Sequence, residues 1–346
     1  MARRLGQASG MPSLYRPESE RAGVAYILTE PTGSERMIHE GADVSLVEIA
    51  GLYLYYFRKD HAFAHILQDP RARVISREEV HISWQCGDID WKLAWDTKGL
   101  SPFALASIHY WHRDIDFDYV DVGANVGLTT VSQAVFYKRC GRHNKIYAFE
   151  PGEVYPLLKE AVTVNQLDDT TSCVRAALTD RPGRVEFFVT PAQSPASSLL
   201  KVATSRPGVA ESRSIFVNAI TFDEFSKNLR PVAGLLVKID AEGFDFKVID
   251  GMRRALVDRL CTLQIELYPA LVDAYTDPAR VLTGFSSDFE LIDVGKSPPQ
   301  RIEPGAADIA AFVTAIRRQQ TPTTDVFLVP KRLRSADELI ARILSG

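Results

Sequence analysis

The sequence is poor in cysteine, and the four it has form no pattern. Cys86, Cys140, Cys173 and Cys261 lie far apart, with no CxxC pair and no Cys/His cluster at zinc spacing. The expectation is four buried or half-buried thiols of a reducing compartment. No apolar run reaches the roughly 18 residues that cross a bilayer. Met1–Ser19 carries arginines but no apolar core of the signal-peptide kind. A cytoplasmic protein without a membrane span is therefore expected. An excess of positive charge is also missing: 40 Lys and Arg face 44 Asp and Glu in 346 residues, a net charge of −4. Proteins that neutralise nucleic-acid phosphates are basic, so no nucleic-acid partner is expected. There is no internal repeat and no signal for an oligomeric state.

What is present is the composition of a folded protein with ample core, 46% hydrophobic and 24% charged. The length suits two domains or one elaborated one, at about 150 residues per domain. Residues 1–22, rich in Gly, Ser, Pro and Arg, read as a flexible leader. Residues 23–116 read as an accessory region and candidate substrate cap, 117–334 as the main domain, and 335–346 as a C-terminal helix. Within the accessory region the apolar positions of 42–67 suit one or two helices, and 73–84 alternate like a strand. Trp84, Trp91, Trp95 and Trp111 all fall there; such rings can stack on a sugar, or form a small accessory core.

From Phe117 short apolar runs alternate with helical stretches, the mark of βαβ units around a parallel sheet. Strands are expected at 119–122, 146–149, 172–176, 235–239, 262–266, 289–294 and 326–329. Helices are expected at 126–135, 154–165 and 307–316, with an extended piece at 185–189 and a Pro/Ser-rich excursion over 190–209. A last helix begins after Ser335, a candidate N-cap with Glu338 in the box position.

The first chemical motif is Asp121-Val-Gly123-Ala-Asn125-Val-Gly127, where a strand turns through glycines into a helix. It is not the G-x-G-x-x-G of dinucleotide binding, because Asn125 replaces the second glycine. Asp121 would repel a pyrophosphate and suits a ligand with positive charge, such as an amino group or a sulfonium. Glu150, in Phe149-Glu150-Pro151, follows the second strand, where a carboxylate can accept both hydroxyls of an adenosine ribose. Together they favour S-adenosylmethionine (SAM) over NAD. At the fourth strand, Lys238-Ile-Asp240-Ala-Glu242-Gly243 puts two carboxylates and a lysine beside the expected methyl group. Asp240 or Glu242 can serve as general base or, with Glu266 of the fifth strand, hold a divalent metal. His109 and His112 are candidates for a base delivered from a lid. The [DN]-P-P-[FY] motif of amino-methylating enzymes is missing after the fourth strand, and so is the Pro-Cys nucleophile of pyrimidine C5 enzymes. Oxygen methylation remains.

These motifs, with Leu158–Asn165, Ala177–Asp180 and Thr221–Phe225, resemble the FkbM family of SAM-dependent methyltransferases over about residues 120–329. The resemblance implies a class I, Rossmann-like α/β fold with seven strands in the order 3-2-1-4-5-7-6. It also implies O-methylation of a hydroxyl. By position, Asp121, Gly123, Asn125 and Gly127 would cradle the methionine part of SAM, Glu150 the ribose, and Ala177 to Asp180 the adenine. Asp240 and Glu242 would face the reacting centre, with Lys238 beside them. The expected acceptor is a sugar, glycolipid or other small metabolite. The alternatives are a non-catalytic SAM-binding or partner-binding module, an RNA or protein methyltransferase, and, least of all, an NAD-dependent oxidoreductase.

Overall fold

The structure is a computed structural model that describes residues 13–15, 24–29, 35–39, 44–49, 51–76, 101–190, 196–204 and 212–345. Cys86, Trp84, Trp91 and Trp95 lie outside these residues, as does most of the proposed leader. Within that leader, β1 (Ser13–Tyr15) pairs antiparallel with β2 (Val24–Thr29), which pairs with β3 (Glu35–His39).

The stretch expected to be helical from 42 to 67 is mostly sheet. β4 (Val44–Ile49) and β5 (Leu52–Phe57) form a hairpin, followed by the short helix α1 (His61–Ile66) and by β6 (Ala72–Ile75), which pairs with β4. Gly51 turns the hairpin at φ 76°, a conformation open to glycine. Leu-Tyr-Leu-Tyr-Tyr of β5 is buried throughout and shows no helical period; aromatic residues in such a run favour a strand covered on both faces. Helix α2 (Pro102–His112) follows, capped by the Ser101 hydroxyl, which accepts from the Ala104 amide.

The main domain then winds through β7 (Phe117–Val122), α3 (Leu128–Arg139), β8 (Ile146–Phe149), α4 (Tyr155–Val164) and β9 (Thr171–Val174). Next come β10 (Ala177–Leu178), β11 (Gly183–Val189), α5 (Lys201–Thr204), β12 (Arg213–Ile220) and α6 (Phe222–Phe225). It continues with β13 (Gly234–Ile239), α7 (Asp245–Asp250), α8 (Arg253–Asp258), β14 (Leu260–Leu267), α9 (Pro269–Val272) and α10 (Pro278–Phe285). It closes with β15 (Phe289–Asp293), β16 (Gln300–Ile302), α11 (Ala306–Arg317), β17 (Thr324–Pro330) and α12 (Ala336–Ser345).

The central sheet has the order β16-β15-β17-β14-β13-β7-β8-β9. Counting its seven principal strands along the chain gives 3-2-1-4-5-7-6, with β16 an added edge. The run from β9 to β14 is parallel, and β17 inserts antiparallel between β14 and β15. This is the class I methyltransferase sheet that the family resemblance implied. One face packs on α2, α3, α4, α12 and the β4–β5 hairpin, the other on α6, α7, α8, α10 and α11. α12 thus belongs to the core of the main domain. Its expected capping box does not form: Ser335 is left-handed at φ 64°, and Glu338 takes Arg113 instead.

Candidate functional site

The order of the sheet reverses between β7 and β13, and there the carboxyl ends of the parallel strands open to one side. In register, Val122 lies beside Ile239 and Ile239 beside Ile265, so the three loops that follow start level with one another. A cavity of about 270 Å³ sits above them. Its polar wall includes Asn125, Glu150, Asp240, Glu242 and Glu266; its apolar wall includes Phe149, Leu178, Phe187 and Leu199.

The glycine loop is shaped by its own backbone. Gly123 (φ 77°) donates to the Phe149 carbonyl, and a Cβ on it would lie 1.9 Å from the Asp240 carbonyl oxygen. Gly127 (φ 98°) is pressed against Leu158, 2.8 Å from where its Cβ would be. These glycines let the loop lie on β13 and α4. Asn125 is left-handed as well, at φ 50°.

Glu150 ties the loop to the next strand. Its Oε2 accepts from the Asn125 amide at 3.0 Å and its Oε1 from the Gly152 amide at 2.6 Å. Burial pushes its carboxyl up to about 7, although both amides pull the other way. Asp121 is fully buried one layer below the cavity, where Oδ2 accepts from the Thr130 hydroxyl at 2.6 Å and Oδ1 has no hydrogen-bond partner. Burial raises its carboxyl too, against the pull of Lys238, its in-register neighbour.

Lys238 reaches up to Asp240, with Nζ 2.8 Å from Oδ2. Burial works against its charge, but Asp240 and Asp121 outweigh it and hold the ammonium well above the usual lysine range. Glu242 follows in a left-handed conformation, φ 49°. Its carbonyl accepts from the Ser198 hydroxyl at 2.9 Å, and the Gly243 carbonyl accepts from the Tyr275 hydroxyl at 2.9 Å. Two distant segments therefore pin this loop. Burial, then the charges of Asp240 and Glu242, push the Glu266 carboxyl well above its ordinary value. Burial and Asp240 do the same to Asp245.

Residues 121–283 match the methyltransferase FkbM domain. This stretch is an FkbM methyltransferase domain, of the SAM-dependent kind. No curated protein matches the chain as a relative. Among solved structures, an rRNA methylase from Streptococcus thermophilus is similar at 13% identity, covering 67% of this chain and 97% of its own, with a TM-score of 0.35. An O-methyltransferase from Bacillus cereus, in complex with SAH, is similar at 10% identity, covering 78% of this chain and 97% of its own, with a TM-score of 0.28. Likeness at that level says nothing of the reaction.

Of the residues singled out in the sequence, the FkbM domain gathers Gly123, Asn125, Glu150, Ala177, Asp240, Glu242 and Glu266 around one cavity. Asp121, Gly127 and Lys238 support its floor without lining it. Asp180 is turned to Lys247, at 2.9 Å, and is not in the wall. His109 and His112 serve no lid: α2 ends at the amino edge of the sheet, where Tyr110 meets the Leu260 carbonyl, and His109 is buried. Trp111 is likewise packed away from the cavity, among Phe117, Phe136 and Tyr137. Cys140 is exposed, unlike the buried Cys173 and Cys261. The sequence reading missed Phe187, Ser197 and Leu199. They come from β11 and the excursion after it, which folds back over the cavity through mutual amide bonds between Phe188 and Ser198. Their signals were the extended run at 185–189, which holds Phe187, and the Pro/Ser-rich excursion over 190–209, which holds Ser197 and Leu199.

The donor set fits SAM: a carboxylate at the end of the second strand, an apolar slot between Phe149, Leu178 and Phe187, and an acidic far end for positive charge.

Proposed function

We propose that this protein transfers a methyl group from SAM to a hydroxyl of a sugar, glycolipid or other small metabolite. When bound, SAM supplies an electrophilic methyl group on a sulfonium. Glu150 would accept from the ribose, with Asn125 and Ala177 beside it and the Phe149, Leu178 and Phe187 side chains against the adenine. Asp121, one layer down, adds negative charge under the loop.

The observation that carries the reading is that one cavity is lined by Glu150 together with Asp240, Glu242 and Glu266. A hydroxyl is a poor nucleophile until a base removes its proton. Asp240 is the best-placed base, because Lys238 fixes one of its oxygens and orients the other. Asp240 would hold the acceptor hydroxyl and take up its proton as that oxygen is methylated. The Ser198 and Tyr275 hydrogen bonds hold Glu242 at the same place, and alignment of this kind supplies several kcal/mol of rate.

The test is transfer of labelled methyl from SAM to a panel of saccharides and hydroxylated metabolites. Asp240→Asn should retain S-adenosylhomocysteine (SAH) binding and lose transfer by about 100-fold or more, the typical share of a general base. Full transfer by that variant would remove Asp240 from the chemistry. Label appearing on amines alone would overturn O-methylation.

A further inference from the structure

The acidic end of the cavity holds more carboxyls than its base chemistry needs. Asp240, Glu242 and Glu266 each offer one carboxylate oxygen, and these three oxygens lie within 4.8 Å of one another. Hard divalent cations hold oxygens at about 2.1–2.5 Å and so bridge oxygens up to about 4–5 Å apart. The three stand on firm supports: Asp240 on its ion pair with Lys238, Glu242 on the loop pinned by Ser198 and Tyr275, and Glu266 within β14.

Proximity of acids alone would not make a site. A second observation comes from orphaned oxygens. Glu266 Oε2 is shut off from solvent and has no hydrogen-bond partner, although Glu266 lines the cavity. Asp245, 1% exposed, has Oδ1 equally without a partner while Oδ2 accepts from the Gly243 amide of the same loop at 3.2 Å. Buried carboxylate oxygens are costly to leave unpaired. Lys238 is committed to Asp240 Oδ2 and answers neither of them.

We propose that Asp240, Glu242 and Glu266 bind one divalent, oxygen-seeking cation such as Mn²⁺ or Mg²⁺. The use of the site rests on the methyltransferase reading above: a cation here draws the acceptor hydroxyl to the carboxylates and lowers the cost of ionising it.

The experiment is a calorimetric titration of the metal-stripped full-length protein with Mn²⁺ alone, and separately with SAH. Thermal melts with and without Mn²⁺ accompany it. Saturable one-to-one Mn²⁺ binding is expected, weakened at least tenfold in Glu266→Gln and in Glu242→Gln. The melting temperature of the wild type should rise with Mn²⁺; that of Glu266→Gln should not move. The melts also show whether each variant folds, and two variants on separate elements guard against one that does not. Absence of saturation up to about 1 mM, the weak end of carboxylate sites, or equal affinity in both variants, overturns the cation site. If SAH binds and Mn²⁺ does not, the cation site is wrong and the cofactor reading stands. If Mn²⁺ binds with the expected losses and SAH does not, the reverse holds.

Discussion

Glu150 carries two duties in one carboxylate, joining the glycine loop to the turn after β8 and facing the cavity where a ribose would lie. Burial, against the pull of the Asn125 and Gly152 amides, governs its hold on a proton. Its folded carboxyl is raised to about 7 from an ordinary 4.5, by burial above all. The folded protein therefore holds this proton more tightly than the unfolded chain. The resulting stability is fully present below pH 4.5 and is lost as pH rises through about 7. The loss amounts to roughly 3 kcal/mol for a shift of this size. Unfolding free energies of the ligand-free wild type and of Glu150→Gln, measured by denaturant titration from pH 4.5 to 8, should diverge by about that amount across the range. Parallel curves would mean that Glu150 is not perturbed. The neighbouring Gly123 admits no side chain, because the Asp240 carbonyl already occupies the place of a Cβ. This is why Asp-Val-Gly-Ala-Asn and Phe-Glu-Pro were readable: a glycine forced by backbone contact and an acid held by two amides leave a local signature in sequence.

At the scale of elements, the excursion after β11 is the part that turns an open sheet edge into a cavity. Ser198 links it to the loop of residues 240–243, donating to the Glu242 carbonyl at 2.9 Å and accepting from the Leu200 amide at 3.0 Å. Ser198→Ala removes both bonds, each worth about 1 kcal/mol. SAH affinity should fall about threefold to tenfold by calorimetry while the melting temperature moves little; unchanged affinity would show that the strap is a bystander. This strap was legible only as a polar excursion, because Ser, Pro and Ala have no period and its position depends on partners more than 40 residues away, Glu242 above all. The β4–β5 hairpin was misread for the opposite reason. A continuous apolar run is compatible with a buried helix or a buried strand, and its packing against α4 decides between them. The parallel strands were legible to within a few residues, since their apolar runs end in glycine or acid at the same sheet edge.

Across the whole molecule, the accessory hairpin and the main domain share one core on one face of the sheet. Asn165 fastens them: Nδ2 donates to the Tyr53 and Ala161 carbonyls, each at 2.7 Å, and Oδ1 accepts from the Tyr53 amide at 3.3 Å. Asn165→Ala would remove all three bonds and should cost about 1–3 kcal/mol in denaturant unfolding. A change under 0.5 kcal/mol, the scale of a neutral surface substitution, would show the hairpin to be loosely held. No helix among the described residues is long and apolar enough to cross a membrane. The chain thus brings an FkbM domain, an added N-terminal layer and an acidic cavity into one body, and the central claim is that this cavity takes SAM. Calorimetric titration of the purified protein with SAH, with NADH as control, tests it most directly. The account predicts one-to-one SAH binding in the micromolar range and no heat from NADH; silence with SAH, or binding of NADH in its place, would contradict it.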